Sequence, residues 1–139
     1  MIRELHEEYF RVIEVDGKPE KGERKIADEL VLLINEILEE ISAGSSSQAD
    51  EWVLYRIGVL EFALDKSPYN FDIQLGLAKI YDSQGWSTSF NHHFNGLGLK
   101  AVQLESLGYL LLRHAVDFGE VSQMRSFSLK YGKYCKLNA

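Results

Sequence analysis

Between Ile2 and Tyr134 apolar side chains recur at three- and four-residue intervals, and no stretch alternates apolar with polar for long enough to make a strand. Only a period near 3.6 residues gathers side chains so spaced on one face, so the pattern calls for helices. Turn signals cut it into helix-sized lengths: the Gly and Ser run over 43–48, Pro68, Gly85, the Gly96 and Gly98 pair, and Gly119. The expected fold is all-α, with about six or seven helices in antiparallel hairpins.

In chain order, a leading helix over 1–14 places Ile2, Leu5, Tyr9 and Ile13 on one face. The charged run over 15–24, with two Gly and a Pro, reads as a flexible exposed connection, and stacked helices are expected over 25–136. The first of these, from about Lys25 to Ile41, has Ile26, Leu30, Leu33, Ile37 and Ile41 along a stripe that Val31, Ile34 and Leu38 widen. Its acids Glu29, Glu36, Glu39 and Glu40 are left to water. The next, from about Glu51 to Asp65, is capped by Ser47 or Asp50 and is apolar nearly all round, so it is expected in the middle of a stack. Pro68 ends that run, and Asn70 caps a helix from about Phe71 to Ser83. Phe71, Leu75 and Ala78 lie on one side of it, with Ile73, Leu77, Ile80 and Tyr81 on another, so it must be covered twice. Ser87 caps a short helix with Phe90 and Phe94 on one face. A helix from about Leu104 to Asp117 groups Leu104, Leu107, Leu111, His114, Ala115 and Phe118, and Val121 to Tyr134 makes the last.

The middle of the chain resembles the tetratricopeptide repeat, a helical hairpin that stacks into right-handed solenoids. Leu77, Ala78 and Tyr81 occupy the repeat's first-helix positions, Phe94 its second-helix aromatic, and Ala63 and Pro68 the end of a preceding repeat. Phe90 stands where the repeat normally has a small residue, so the repeat is degenerate. The 139 residues are therefore read as a single helical-repeat segment.

A narrower resemblance follows from the run SPYNF, then LAKIYDSQGW, then LGLKAVQLESLGYLLLRHA. It resembles the auxiliary, noncatalytic subunit of the NatB N-terminal acetyltransferase, most closely over Ser67 to Phe118. The family segment appears here as Leu97, Leu99, Lys100, Gln103, Leu104, Glu105, Ser106, Leu107 and Gly108. Members of that family are several times longer, so a fragment or a short relative is expected. The resemblance implies a scaffold that holds a catalytic acetyltransferase subunit, with the ribosome as a further partner, for N-termini beginning with Met followed by Asp, Glu, Asn or Gln. The catalytic partner's acetyl-CoA motif, Arg or Gln, two residues, Gly, one residue, then Gly or Ala, is absent here, so neither cofactor binding nor transfer is expected of this chain. The alternative is a general repeat adaptor with a peptide or helix in its groove. The residues singled out for contact with a partner are Trp86, Lys100, Gln103, Glu105 and Arg113.

Charge and composition narrow the remaining classes. With 21 acidic and 15 basic side chains the formal net charge is −6, which disfavours broad phosphate-backbone binding, so no direct DNA contact is expected. The basic cluster Arg125, Lys130, Lys133 and Lys136 is read as a solvated face. A single cysteine, Cys135, makes no internal disulfide, and no apolar run is long enough to span a membrane, so a cytoplasmic protein is expected.

Candidate chemistry is sparse. His92 and His93 are adjacent, so on a helix they diverge by about a hundred degrees and chelate poorly; both are read as solvated, and no metal is expected. His114, on an apolar stripe, is read as a hydrogen-bonded packing residue. Gly96 and Gly98 lack the strand and the Lys-Ser or Lys-Thr of a phosphate loop and are read as a turn.

Overall fold

A computed structural model describes residues 1–16, 25–45 and 47–137, leaving aside the side chains of residues 16, 101, 134, 135 and 137. Among the described residues there are seven helices and no strand: α1 (Ile2–Asp16), α2 (Ile26–Gly44), α3 (Ala49–Lys66), α4 (Phe71–Gln84), α5 (Ser87–Gly96), α6 (Ala101–Phe118) and α7 (Val121–Leu137). Contacts divide the chain into two compact units, Met1–Leu77 and Ala78–Ala139, with the division inside α4. Val15 and Asp16 continue α1, and the rest of the expected connection lies outside the described residues.

In the first unit α1 and α3 both pack along α2. Arg56 of α3 donates to Asn35 at 3.0 Å and reaches Glu39 at 3.5 Å, while Asn70, just past α3, donates to Asp28 at the start of α2. Higher numbers in one helix meet lower numbers in the other, so α2 and α3 are antiparallel. The contacts His6–Tyr55 and Phe10–Phe62 rise together, which makes α1 and α3 parallel. The seam of α2 is Ala27, Val31, Ile34 and Leu38, all at 1% exposure or less, whereas Ile26 and Leu33 of the expected stripe face solvent. Being gripped by helices on two flanks moves the buried seam round from the stripe that the apolar residues alone suggest.

Asn70 caps α4 as expected, accepting from the Ile73 amide at 3.0 Å, and its amide donates to the buried Asp28 carboxylate at 2.9 Å. Burial, with Asp28 nearby, pushes the Tyr9 phenol above its ordinary range, so it stays protonated. Burial likewise lowers the Arg56 guanidinium, against the opposing pull of Glu39. α3 departs from expectation twice. Neither Ser47 nor Asp50 caps it, the capping position being Gln48 with no side-chain bond. It is also not covered all round: Arg56, Ile57, Leu60 and Ala63 are buried, but Leu54, Tyr55 and Phe62 are not.

In the second unit α6 and α7 form an antiparallel hairpin, closed where Gly108 lies against the Phe127 ring. Asp82 meets His114 and Gly85 meets Phe118, so α4 and α6 run parallel. Neighbouring helices reverse and next-but-one helices run alike in both units, the packing that tetratricopeptide-like arrays use. α6 starts at Ala101, three residues before the expected start, and buries Gly108, Leu110, His114 and Ala115, while Phe118 keeps nearly half its surface in solvent.

Candidate functional site

The most chemically loaded place in the chain is the junction of α4, α5 and α6. Asp82 sits in the last turn of α4, where the helix dipole disfavours an acid, so it needs a partner from elsewhere. His114 supplies one: its Nδ1 is 2.9 Å from Asp82 Oδ1, and its Nε2 is 2.9 Å from the Ser87 hydroxyl. A carboxylate only accepts, so Nδ1 carries the proton, and in the neutral ring Nε2 accepts from Ser87. Arg113, the next residue of α6, closes the far side by donating to Asp82 Oδ2, and that bond holds its guanidinium in the charged form.

Asp, His and Ser thus stand in the order of a nucleophilic triad, but the surroundings do not suit that chemistry. His114 is wholly buried, with the Phe90 ring stacked on it at 4.0 Å and Phe118 at 4.7 Å. A general base must reach its substrate's proton, and this imidazole is closed off on both faces. What the arrangement does is tie three helix ends together through fully paired polar groups. Ser87 was expected to cap α5; the capping position is Trp86 and the Ser87 hydroxyl serves His114 instead, because a buried imidazole nitrogen without a partner costs more than a loose cap.

His93 corrects a second expectation. It is buried and stacked on Tyr81 with centroids 5.4 Å apart, while His92 remains exposed. Phe90, His93, Phe94 and Leu97 make an i, i+3, i+4, i+7 stripe, and that spacing was visible in the sequence. The sequence signal for Asp82 is an acid in the last turn of a helix. Among the described residues no group of His, Cys, Asp and Glu is placed to hold a metal ion. The side chain of Cys135 lies outside the described residues.

The five residues singled out for a partner do not converge. Trp86 tilts over Tyr81 at 5.9 Å and keeps nearly half its surface in solvent. Gln103 is committed to capping α6, accepting from the Lys100 amide at 3.1 Å, and the side chains of Lys100 and Glu105 are exposed. Arg113, bound to Asp82, sits about 12 Å further along α6 than Glu105 at 1.5 Å per residue. The basic side chains Arg125, Lys130, Lys133 and Lys136 are exposed on α7, as expected of a solvated face.

Residues 1–137 match the family described as the N-acetyltransferase B complex (NatB) non catalytic subunit. The chain belongs to that family. It is 28% identical over 134 residues to the N-alpha-acetyltransferase 25 NatB auxiliary subunit of Rattus norvegicus and of Homo sapiens, and 27% identical to that of Mus musculus. Each match covers 94% of this chain and 14% of the relative, so the chain spans about one seventh of the length of these proteins. No solved structure matches it. Among the described residues of this NatB-family chain, no helix is long and apolar enough to cross a membrane.

Proposed function

We propose that this chain is a scaffold segment of a NatB-type auxiliary subunit, contributing helical layers that hold a catalytic acetyltransferase subunit in place. The observation that carries the reading is the family match along nearly the whole chain, to a subunit described as non catalytic. The helix-packing pattern agrees with it. Polar groups of the kinds that do chemistry join helices here instead, as at Asp82, His114 and Ser87. Exposed Trp86 together with Lys100, Glu105 and Arg113 supplies candidate contacts along one stretch of chain. The assembled complex would work in the cytoplasm, near nascent chains at the ribosome, on N-termini beginning with Met followed by Asp, Glu, Asn or Gln, and acetyl-CoA would belong to the catalytic partner.

The test is a graft. This chain replaces the matching segment of the rat auxiliary subunit, and the chimaera is co-expressed with its catalytic partner. Retention of that partner on an affinity column, with acetylation of a Met-Asp peptide and not of a Met-Leu peptide, is expected. A chimaera that is folded by circular dichroism yet retains no catalytic subunit would sink the reading.

A further inference from the structure

A recess of about 240 Å3 opens between α5 and α7, over α6. Among the described residues α5 and α7 each pack on α6 and not on each other, so the gap between them is floored by Leu111 of α6 and by Phe127, which is 7% exposed. Its walls are polar. Asn91 and Asn95 stand four residues apart on one face of α5, and Gln123, Ser126 and Lys130 follow at i, i+3 and i+7 on one face of α7. Because α5 and α7 run the same way, Asn95 and Lys130 share one end of the recess and Asn91 and Gln123 the other.

Three observations say what fits there. The five polar side chains are not committed within the protein: none is hydrogen-bonded or ion-paired to another described residue, unlike Asp82, His114 and Ser87 on the other side of α5. The Gln123 Oε1 is buried without a partner, an acceptor that an incoming N–H would satisfy. Lys130 brings the charge of the lining and no acid lines the recess with it, so the site favours a single negative charge, toward which the Asn95 amide and the Ser126 hydroxyl are further donors. A phosphate, with about two charges, would call for a second cation or an arginine fork. The space equals the share of about eight waters and is smaller than a drug-sized ligand needs, so a short chain end enters it and a whole cofactor does not.

We propose that this recess captures the C-terminal carboxylate of an extended peptide whose last side chain is apolar. The carboxylate accepts from Lys130 and the Asn95 amide, the last side chain lies on Leu111 and Phe127, and a main-chain N–H near the peptide's end donates to Gln123 Oε1, with Asn91 beside it. Two residues of extended chain reach about 7 Å, and Gln123 and Lys130 stand about 10 Å apart along α7, a difference that their long side chains close. A carboxyl side chain in mid-peptide offers the same charge, but its main chain must then enter and leave, for which a recess of about 240 Å3 has no room. The inference stands whether or not the chain serves a NatB complex.

Binding is read on the whole 139-residue chain, labelled with nitrogen-15, by following the side-chain amide resonances of Asn91, Asn95 and Gln123 in proton–nitrogen correlation spectra. Three acetylated peptides are titrated: Gly-Ser-Ala-Leu with a free carboxylate, the same peptide amidated, and amidated Gly-Asp-Ala-Leu, which carries its carboxylate on a side chain. The free acid should shift the three resonances saturably with a Kd below about 1 mM, and both amidated peptides should bind at least about tenfold more weakly. Lys130→Gln should weaken the free acid by about fivefold and leave the plain amidated peptide unchanged, with the urea midpoint held because Lys130 is exposed. Gln123→Met should weaken both of those peptides by the same factor, since it removes a bond to the main chain and not to the charge. No saturable shift of these resonances, equal binding of the free and amidated forms, or full affinity in Lys130→Gln would overturn the proposal. So would an Asp-containing amidated peptide that matches the free acid, since a side-chain carboxylate would then be the ligand.

Discussion

Replacing Asp82 with Ala isolates the junction that joins α4, α5 and α6. The substitution removes the acceptor of the His114 Nδ1 proton on a ring with no solvent exposure. A buried donor left unpaired costs about 1–3 kcal/mol, and a bond to a charged acceptor contributes about 1.5–3 kcal/mol; the two overlap and do not add in full. Arg113 loses its partner as well, but it is 55% exposed, so screening by water makes that the minor share. The expected loss is about 2–4 kcal/mol, which at a urea dependence of about 2 kcal/mol per molar lowers the midpoint by about 1–2 M. Urea titrations followed by Trp86 fluorescence in a Trp52→Phe background report on the second unit alone, since Trp86 packs on Tyr81 there. Asp82→Asn keeps an acceptor for His114 and turns its amide toward Arg113, so it should lie between the parent and Asp82→Ala. Arg113→Ala should cost least. An Asp82→Ala midpoint within error of the parent, or no lower than that of Arg113→Ala, would refute the assignment of Asp82 as the centre of the junction.

Three further outcomes are expected. Gly108→Ala brings a Cβ to 2.7 Å from the Phe127 ring and should destabilise the α6–α7 hairpin by about 1–3 kcal/mol, measured by the same titration, whereas Gly132→Ala, with nothing within 4 Å, should not. Asn70→Ala removes the α4 cap and leaves one oxygen of the buried Asp28 without its donor, for a loss of about 2 kcal/mol in urea unfolding followed by circular dichroism. Burial lowers the His6 pKa below 6.5, so the unfolded chain takes up the proton first and the stability tied to neutral His6 is lost as pH falls from 6.5 toward the folded value. A parent-minus-His6→Gln stability difference that stays flat across that window would show that His6 carries no such dependence.

Much of the helical architecture was legible because caps and breakers act locally. Asn70 caps the helix that follows Pro68, and Gly85 and Gly119, both at φ 71°, end the helices they were expected to end. Phe90 and Phe94 stack at 5.5 Å, as residues four apart on one helix face must. Expectation and structure part wherever burial depends on a second helix. The α2 stripe, the covering of α3 and the place of His93 each required knowing which neighbour arrives on which side. The Asp82–His114–Ser87 junction was half visible, since His114 was expected to be packed and hydrogen-bonded while its partner lies 32 residues away.

By itself the sequence determined that this chain is helical, where its helices stop, and that it belongs among NatB noncatalytic subunits, because 3.6-residue periodicity, caps and a family's residue order are all written along the chain. Only the tertiary structure decided that α1 and α3 meet through aromatic rings and leave a groove between them, and that an acid at the end of α4 is neutralised from α6. Burial is a property of what lies opposite a side chain, and for Phe62 and Asp82 that is set by residues tens of positions away.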